Sequence, residues 1–260
     1  MASIRSHVSQ PKFSNNNKKV AIIFCTKNSA RTIENAIANV KQSPYAPSII
    51  VIDGFSNDNT IELAKKAGAT IAIEQPERKF PGKGIAMKAG LQEAEKMGAH
   101  IALFLDADIK NLTSEWVDAL VEPVVERGYD MTRGFYERHP KDAAVTKLIA
   151  RPMISVFFPE LSGFEQPLSG EVCANIRVWT DLLKRNPPDG WGIDVWFLIE
   201  VAVLGHKVKE IFLGKKEHAS FDAYREDVGK LSKMSEQVLF TIMQEAVKYN
   251  RLDAYRGVST

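Results

Sequence analysis

Residues 100–109 read HIALFLDADI. The apolar run from Ile101 to Leu105 shows no alternation and stops abruptly at Asp106-Ala107-Asp108. A run this short and this uniformly apolar predicts a strand buried on both faces of a parallel sheet. Carboxylates at its carboxyl end stand where open α/β sheets bind ligands. Asp106 and Asp108 lie two positions apart around Ala107, and the chain must turn away from the sheet there. Both acids can then approach one hard cation or one ribose, the arrangement that holds a divalent metal on a diphosphate. The alternative is a pair of solvated acids in a turn before the next helix, where Asn111, Thr113 and Ser114 also compete as caps.

Upstream of this segment the chain alternates. Residues 20–25 read as a strand, after which Asn28 or Ser29 caps a helix to about residue 42. Residues 48–52 form a second strand ended by Asp53-Gly54, and 56–59 offer caps for a helix through Ala67 that Gly68 stops. Residues 70–74 are a third strand, 76–84 a loop, 85–97 a helix, and 116–127 a helix beyond the central strand. This alternation predicts a mostly parallel sheet with helices on both faces. Downstream, 130–136 and 207–213 read as strands, and 147–158 as a helix with Pro152 near its start. Residues 163–175 are loop-rich and then extended, and 194–204 form a helix. An amphipathic helix spans 231–249, with Leu231, Met234, Val238, Ile242, Met243 and Ala246 on one stripe, the spacing of core packing.

Bulk properties narrow the function classes. The chain has 260 residues, 45% of them apolar and 25% charged, which suffices for a real core. A net charge of +2 carries no polyanion signature, so nucleic acid is not an expected partner. Cys25 and Cys173 make neither a disulfide framework nor a zinc pattern, which fits a reducing cytoplasm. No apolar stretch reaches transmembrane length, since the longest candidate, 195–204, is broken by Glu200. Residues 1–19 are polar and read as a disordered arm ahead of a single domain over 20–260.

Several candidate side chains fall at one edge of the expected sheet. Thr26 follows the first strand and Asp53 the second, with Ser56 close behind. Asp53 either accepts hydrogen bonds from a base or ribose, or is a turn acid in DGFSND. The loop RKFPGKG, residues 78–84, sets Lys83 between glycines at a helix start, which suits an anionic diphosphate or a sugar hydroxyl. It is not a Walker loop, and no G-x-G-x-x-G follows the first strand. His218 lies in a polar loop after a strand, either as an exposed side chain or as an imidazole for a metal shared with Asp108. EQPLSGE (165–171) is a loop of small and polar residues. DGWGID (189–194) leads into a helix with Asp194 in its first turn, where it either complements the helix dipole or meets a sugar as anchor or base.

Together these segments resemble nucleotide-sugar glycosyltransferases of the GT-A fold. AIIFCTKNSARTIENAI (21–37), VIDGFSNDNT (51–60) and FLDADI (104–109) resemble the family 2 type. The second half is similar to glucosyl-3-phosphoglycerate synthases. The similarity is carried by KLIARPMISVFFPELSGFEQPLSGE (147–171), GWGID (190–194), KKEH (215–218) and MSEQVLFTI (234–242). The resemblance covers residues 20–243. It implies an α/β GT-A fold with a nucleotide-sugar half (20–128) and a sugar and acceptor half (129–260). It also implies Mg²⁺ or Mn²⁺ on Asp108 and His218, Asp106 at the ribose or sugar, and Lys83 near the donor phosphate or sugar. Asp53 would meet the nucleobase, within a base pocket near Thr26 and Ser56. Leu168, Ser169 and Gly170 would line the sugar pocket, and Asp194 would replace the family's glutamate.

The departures bear on the acceptor. The family's Asn-Glu-Glu after the first strand is Asn28-Ser29-Ala30. Its Gly-Arg-Val-Thr, the phosphoglycerate segment, is Ala143-Ala144-Val145-Thr146, and the asparagine two residues past the histidine is Ser220. A phosphate site without its arginine loses a bidentate contact, which argues against 3-phosphoglycerate. Arg133, Arg138, Lys141 and Lys147 are the candidates to replace it. The expectation is therefore a soluble, metal-dependent enzyme moving a hexose from UDP-glucose or GDP-mannose to an unidentified hydroxyl acceptor, with a homodimer left open. Retention follows from the C-terminal resemblance, whereas inversion would use Asp194 as base. The competing classes are a sugar nucleotidyltransferase, whose glycine-rich loop FCTKNSART lacks, and a non-catalytic nucleotide-sugar-binding protein.

Overall fold

The computed structural model describes residues 18–138, 142–218 and 228–252. The arm expected over residues 1–19 lies almost wholly outside them, and so do Lys141 and Ser220. Among the described residues seven strands form one sheet: β1 (Val20–Thr26), β2 (Ser48–Asp53), β3 (Ile71–Glu74), β4 (Ile101–Leu105), β5 (Met131–Glu137), β6 (Val172–Asn175) and β7 (Val208–Lys215). Their order is β3-β2-β1-β4-β6-β5-β7. The first four strands are mutually parallel, as are β5 and β7, whereas β6 runs antiparallel to both β4 and β5. The helices are α1 (Ile33–Val40), α2 (Thr60–Lys66), α3 (Lys83–Lys96), α4 (Ser114–Glu126), α5 (Arg151–Phe157), α6 (Ile176–Leu183), α7 (Ile193–Val203) and α8 (Val228–Lys248).

The two-residue period of the strands sorts the core into two layers. Ile22, Phe24, Val51, Leu103 and Leu105 pack on one face against Ile33 and Ile37 of α1 and Val117 and Leu120 of α4. Ile23, Ile50, Ile52 and Phe104 pack on the other against Met87 of α3, Trp179 of α6 and Phe197 of α7. Each such side chain contributes about 1.5–3 kcal/mol of burial. A third cluster joins α5, α7 and α8 through Ile154, Leu198, Ile199, Val238 and Ile242. Apart from Asp194 and Glu200, helix α7 is therefore apolar on all sides and wedged between two layers, with residues 193–201 all buried. Its rigidity fixes Asp194 in its first turn.

Some boundaries moved for local reasons. Helix α1 starts at Ile33, later than the expected caps Asn28 and Ser29. The backbone amides of Asn28, Ser29 and Ala30 are instead tied to Ser56, Thr60 and Asp58, so residues 28–32 stay a loop against the start of α2. The helix expected over 147–158 begins as a π-helical turn, Thr146–Ala150, before α5, with Pro152 in the first turn of α5. Helix α6 and the antiparallel direction of β6 were not anticipated. Glu200, the charge that interrupts the apolar run of α7, is fully buried and ion-paired with Lys248 and Arg185, and it accepts a hydrogen bond from Tyr249 at 2.7 Å. These contacts hold the C-terminal end of α8 to α7. No described helix is long and apolar enough to cross a membrane.

The loop before α7 lies directly on the start of α3. The amide of Gly84 donates to the Asp189 carbonyl at 2.8 Å, and a Cβ at Gly84 would sit 2.0 Å from the Pro188 carbonyl oxygen. Backbone cannot yield there as a flexible side chain would. Gly84→Ala is expected to destabilise the protein by about 1–3 kcal/mol, read as a lower midpoint in denaturant unfolding. An unchanged midpoint would mean that the 188–189 loop moves freely away from α3.

Candidate active site

A cleft of about 1190 Å³ opens at the carboxyl ends of β1 and β4, between the starts of α3, α7 and α8. This is the edge where parallel α/β sheets bind ligands. Its walls bring together Thr26, Lys83, Asp106, Asp108, Leu168, Asp194 and His218, which are far apart in sequence. Lys230, Leu231 and Met234 of α8 close one side, and Phe80 and Trp191, ring centroids 5.3 Å apart, line it near the loop before α3.

Two ion pairs define its floor. Lys83 Nζ lies 2.7 Å from Asp194 Oδ2 and 3.9 Å from Asp106 Oδ1. Burial alone would lower the Lys83 ammonium, but the carboxylates of Asp194 and Asp106 outweigh it and hold the group above its ordinary value. Burial pushes the Asp194 carboxyl upward, with Lys83 pulling the other way. Asp194 Oδ1 is buried with no hydrogen-bond partner. An orphaned carboxylate oxygen at the floor of a polar cleft is suited to receive a ligand hydroxyl.

Lys216 forms the second pair, its Nζ 2.9 Å from Asp106 Oδ2 and 2.7 Å from Glu171 Oε1, with a side chain only 2% exposed. Burial would raise the Asp106 carboxyl, yet Lys216 and then Lys83 hold it far below the usual carboxylate range. Asp106 is thus an acceptor whose charge is already balanced by two lysines, which fits a hydroxyl contact better than a metal contact. Glu171 is fully buried and accepts from Tyr136 at 2.7 Å and Ser169 at 3.0 Å. Gly170 makes this packing possible, because a Cβ there would sit 2.5 Å from the Asp106 carboxylate.

Asp108 and His218 are brought together by an isolated antiparallel bridge between Ile109 and His218. His218 Nδ1 lies 3.9 Å from Asp108 Oδ2, and His218 Nε2 lies 2.9 Å from Asp142 Oδ2. Burial would raise the Asp142 carboxyl, but the His218 hydrogen bond and the Arg138 guanidinium bring it down to about 2. One nitrogen and one carboxylate fit a divalent cation, with the second ring nitrogen held by a carboxylate as in many metal sites. Among the described residues no group of three or more His, Cys, Asp or Glu could hold an ion. The remaining ligands must then come from elsewhere, as diphosphate oxygens and water would supply.

Other expected site residues are placed differently. Asp53 is 1% exposed and accepts from Thr26 Oγ1, Ser56 Oγ and the Ser56 amide at 2.6–2.8 Å. Its carboxylate is committed to the turn after β2, and neither Asp53 nor Ser56 lines the cleft, whereas Gly54 and Asp58 do. Ser169 and Gly170 also lie behind the wall, and Leu168 alone of the three reaches it. Of the candidate arginines, Arg138 lines the cleft. Arg133 is fully buried beneath the 167–169 loop, donating to the carbonyls of Pro167 and Ser169 at 3.0 Å. Sequence reasoning assigned no role to Tyr136, Asp142, Glu171 or Lys216. Glu171 and Lys216 did fall inside the quoted motifs EQPLSGE and KKEH.

Comparison with known proteins adds to this geometry. The family model for the mannosylglycerate synthase GT domain matches residues 15–236. The chain belongs to that family. It is a glycosyltransferase of GT-A fold. It is 30% identical over 259 residues to the glucosyl-3-phosphoglycerate synthase of Petrotoga mobilis, covering 90% of this chain and 75% of that protein. It is 28% identical to the mannosylglycerate synthase of Rhodothermus marinus, over 69% of this chain and 50% of that one. Among solved structures, the Mycobacterium tuberculosis glucosyl-3-phosphoglycerate synthase with Mg²⁺ and UDP matches at TM-score 0.77 and 27% identity, over 88% of this chain and 80% of that one. The same enzyme with Mn²⁺, UDP-glucose and phosphoglyceric acid matches at TM-score 0.76.

Proposed function

We propose that this glycosyltransferase moves glucose from UDP-glucose to a glycerate-type hydroxy acid, with 3-phosphoglycerate the first acceptor to consider. The observation that carries the reading is the cleft floor, where Lys83, Asp106 and Asp194 interlock beside the Asp108–His218 pair. Asp194 Oδ1 accepts a hydroxyl of the transferred sugar, and Lys83 holds that carboxylate charged and in place. Asp106, fixed by Lys216, meets the ribose or sugar hydroxyls. Mg²⁺ or Mn²⁺ held by Asp108 and His218 would neutralise charge building on the departing diphosphate.

The relatives' activities support the donor and the acceptor, and they revise the sequence argument against phosphoglycerate. That argument rested on Ala144 in place of an arginine and Ser220 in place of an asparagine. Arg138 supplies a guanidinium on the same wall, beside residues 142–146, where an acceptor carboxylate or phosphate can be met. The acceptor hydroxyl attacks the anomeric carbon from the face that the diphosphate leaves, and the departing phosphate oxygen takes its proton. No protein base is then required, and the configuration is retained.

The test pairs UDP-glucose or GDP-mannose with 3-phosphoglycerate or D-glycerate, in Mn²⁺ and in chelator. Mass spectrometry follows the product and NMR its anomeric configuration. An α-linked glucosyl product from UDP-glucose, abolished by chelator, is expected. A β-linked product would sink retention. Metal-independent turnover would sink the roles of Asp108 and His218, and turnover only with other acceptors would sink the acceptor assignment.

A further inference from the structure

Asp142 stands at a junction that the proposed reaction does not use. Its Oδ2 lies 2.9 Å from His218 Nε2 and 3.3 Å from Arg138 Nη1, and its Oδ1 accepts from the Ala143 amide at 2.7 Å. A carboxylate can only accept, so the proton of this contact sits on Nε2. A neutral ring in this tautomer turns its Nδ1 toward Asp108 Oδ2, 3.9 Å away. Arg138 is turned by the same oxygen, and its other nitrogen donates to the Tyr136 hydroxyl at 3.0 Å. The chain of contacts continues from Tyr136 to Glu171, Lys216 and Asp106, so it links one acid of the D-x-D to the other. Ala143, next to Asp142, has φ of +60°, a left-handed backbone that side chains rarely adopt. A backbone held in that region next to a functional group points to a position fixed by its surroundings.

We infer that Asp142 is a positioning residue shared by the metal ligand His218 and by Arg138, so that one carboxylate sets both the cation end and the acceptor end of the cleft. This inference rests on the proposed metal and acceptor roles. An acceptor anion that draws Arg138 away leaves Asp142 wholly to His218, and metal and acceptor binding should reinforce each other.

The test measures Mn²⁺ affinity of the full chain with saturating UDP by electron paramagnetic resonance, for wild type, Asp142→Ala and Asp142→Asn. Outer-shell losses of this kind cost about 10–100-fold in metal affinity. Asp142→Ala is expected to fall in that range, and Asp142→Asn, which keeps an accepting oxygen for Nε2, to recover part of the loss. Circular dichroism and thermal melting establish that both variants are folded. The KM for 3-phosphoglycerate should rise in Asp142→Ala by more than kcat falls at saturating Mn²⁺. A folded Asp142→Ala with Mn²⁺ affinity within about twofold of wild type overturns the inference and leaves the proposed function standing. A wild type that binds no Mn²⁺ with UDP overturns both. If neither alanine nor asparagine supports folding, Arg138→Gln provides the second reading. Loss of synergy between Mn²⁺ and 3-phosphoglycerate in that variant supports the shared carboxylate, and retained synergy contradicts it.

Discussion

Asp108→Ala is expected to erase the metal dependence of donor binding while the protein stays folded. In the proposed site the cation would be offered one nitrogen and one carboxylate, His218 and Asp108, whose facing atoms are 3.9 Å apart. Removing the carboxylate takes away half of that set and its only negative charge. Losing a mere outer-shell partner costs about 10–100-fold, so losing a direct ligand should cost at least about 100-fold. The Asp108 side chain is 27% exposed at the cleft, and its loss should move stability by no more than about 0.5 kcal/mol. Calorimetric titration of UDP-glucose with Mn²⁺ and with chelator checks both halves. In the variant the two titrations should coincide at the weak, metal-free affinity. Donor affinity in Mn²⁺ equal to wild type would return Asp108 to the reading of a turn acid.

Legibility in the sequence followed physical character closely. Strands β1, β2 and β4 carry unbroken apolar runs because both their faces are covered, and that pattern exists without any tertiary information. Strand β6 is only Val172–Asn175, too short to display a period, and its direction depends on insertion between β4 and β5 rather than on its residues. Helix α6 buries Val178, Trp179 and Leu182 along one side, but its eight residues between a strand and Pro187-Pro188 were too few to stand out. In the site, Asp106 and Asp108 were legible because an apolar strand ended on them. Their partners were not. Tyr136 lies in β5, Asp142 in the loop after it, Glu171 just before β6 and Lys216 just after β7, and no spacing in one segment encodes ion pairs closed across three. Asp53 shows the opposite failure. It ends a strand as Asp106 does, yet its carboxylate is consumed by Thr26 and Ser56 in its own turn.

Lys83 should prove indispensable for two separable reasons. Its ammonium is 2.7 Å from the Asp194 carboxylate, whose side chain is 3% exposed. Lys83→Met would leave that buried charge uncompensated, a loss of about 3–5 kcal/mol for breaking such a pair. On the proposed reading it would also remove positive charge from the floor facing the negative charge that builds on the departing diphosphate, with kcat expected to fall about 100- to 1000-fold. The pH dependence identifies the first effect. Burial already holds the Asp194 carboxyl above its unfolded value, and without Lys83 it rises further. An acid raised in the folded state lends stability below its unfolded pKa and loses it as pH climbs through the folded pKa. The deficit of Lys83→Met against wild type should therefore widen as pH climbs past the point where the wild-type Asp194 carboxyl ionises while the variant's stays protonated, seen in denaturant midpoints taken across pH. The double variant Lys83→Met with Asp194→Leu removes both charges, and replacing a whole buried pair by apolar residues is often nearly neutral. Its midpoint should return most of the way to wild type while turnover stays lost. Recovery of turnover along with stability would mean that the pair is only a structural strut, and that the donor finds its positive charge elsewhere on the cleft wall.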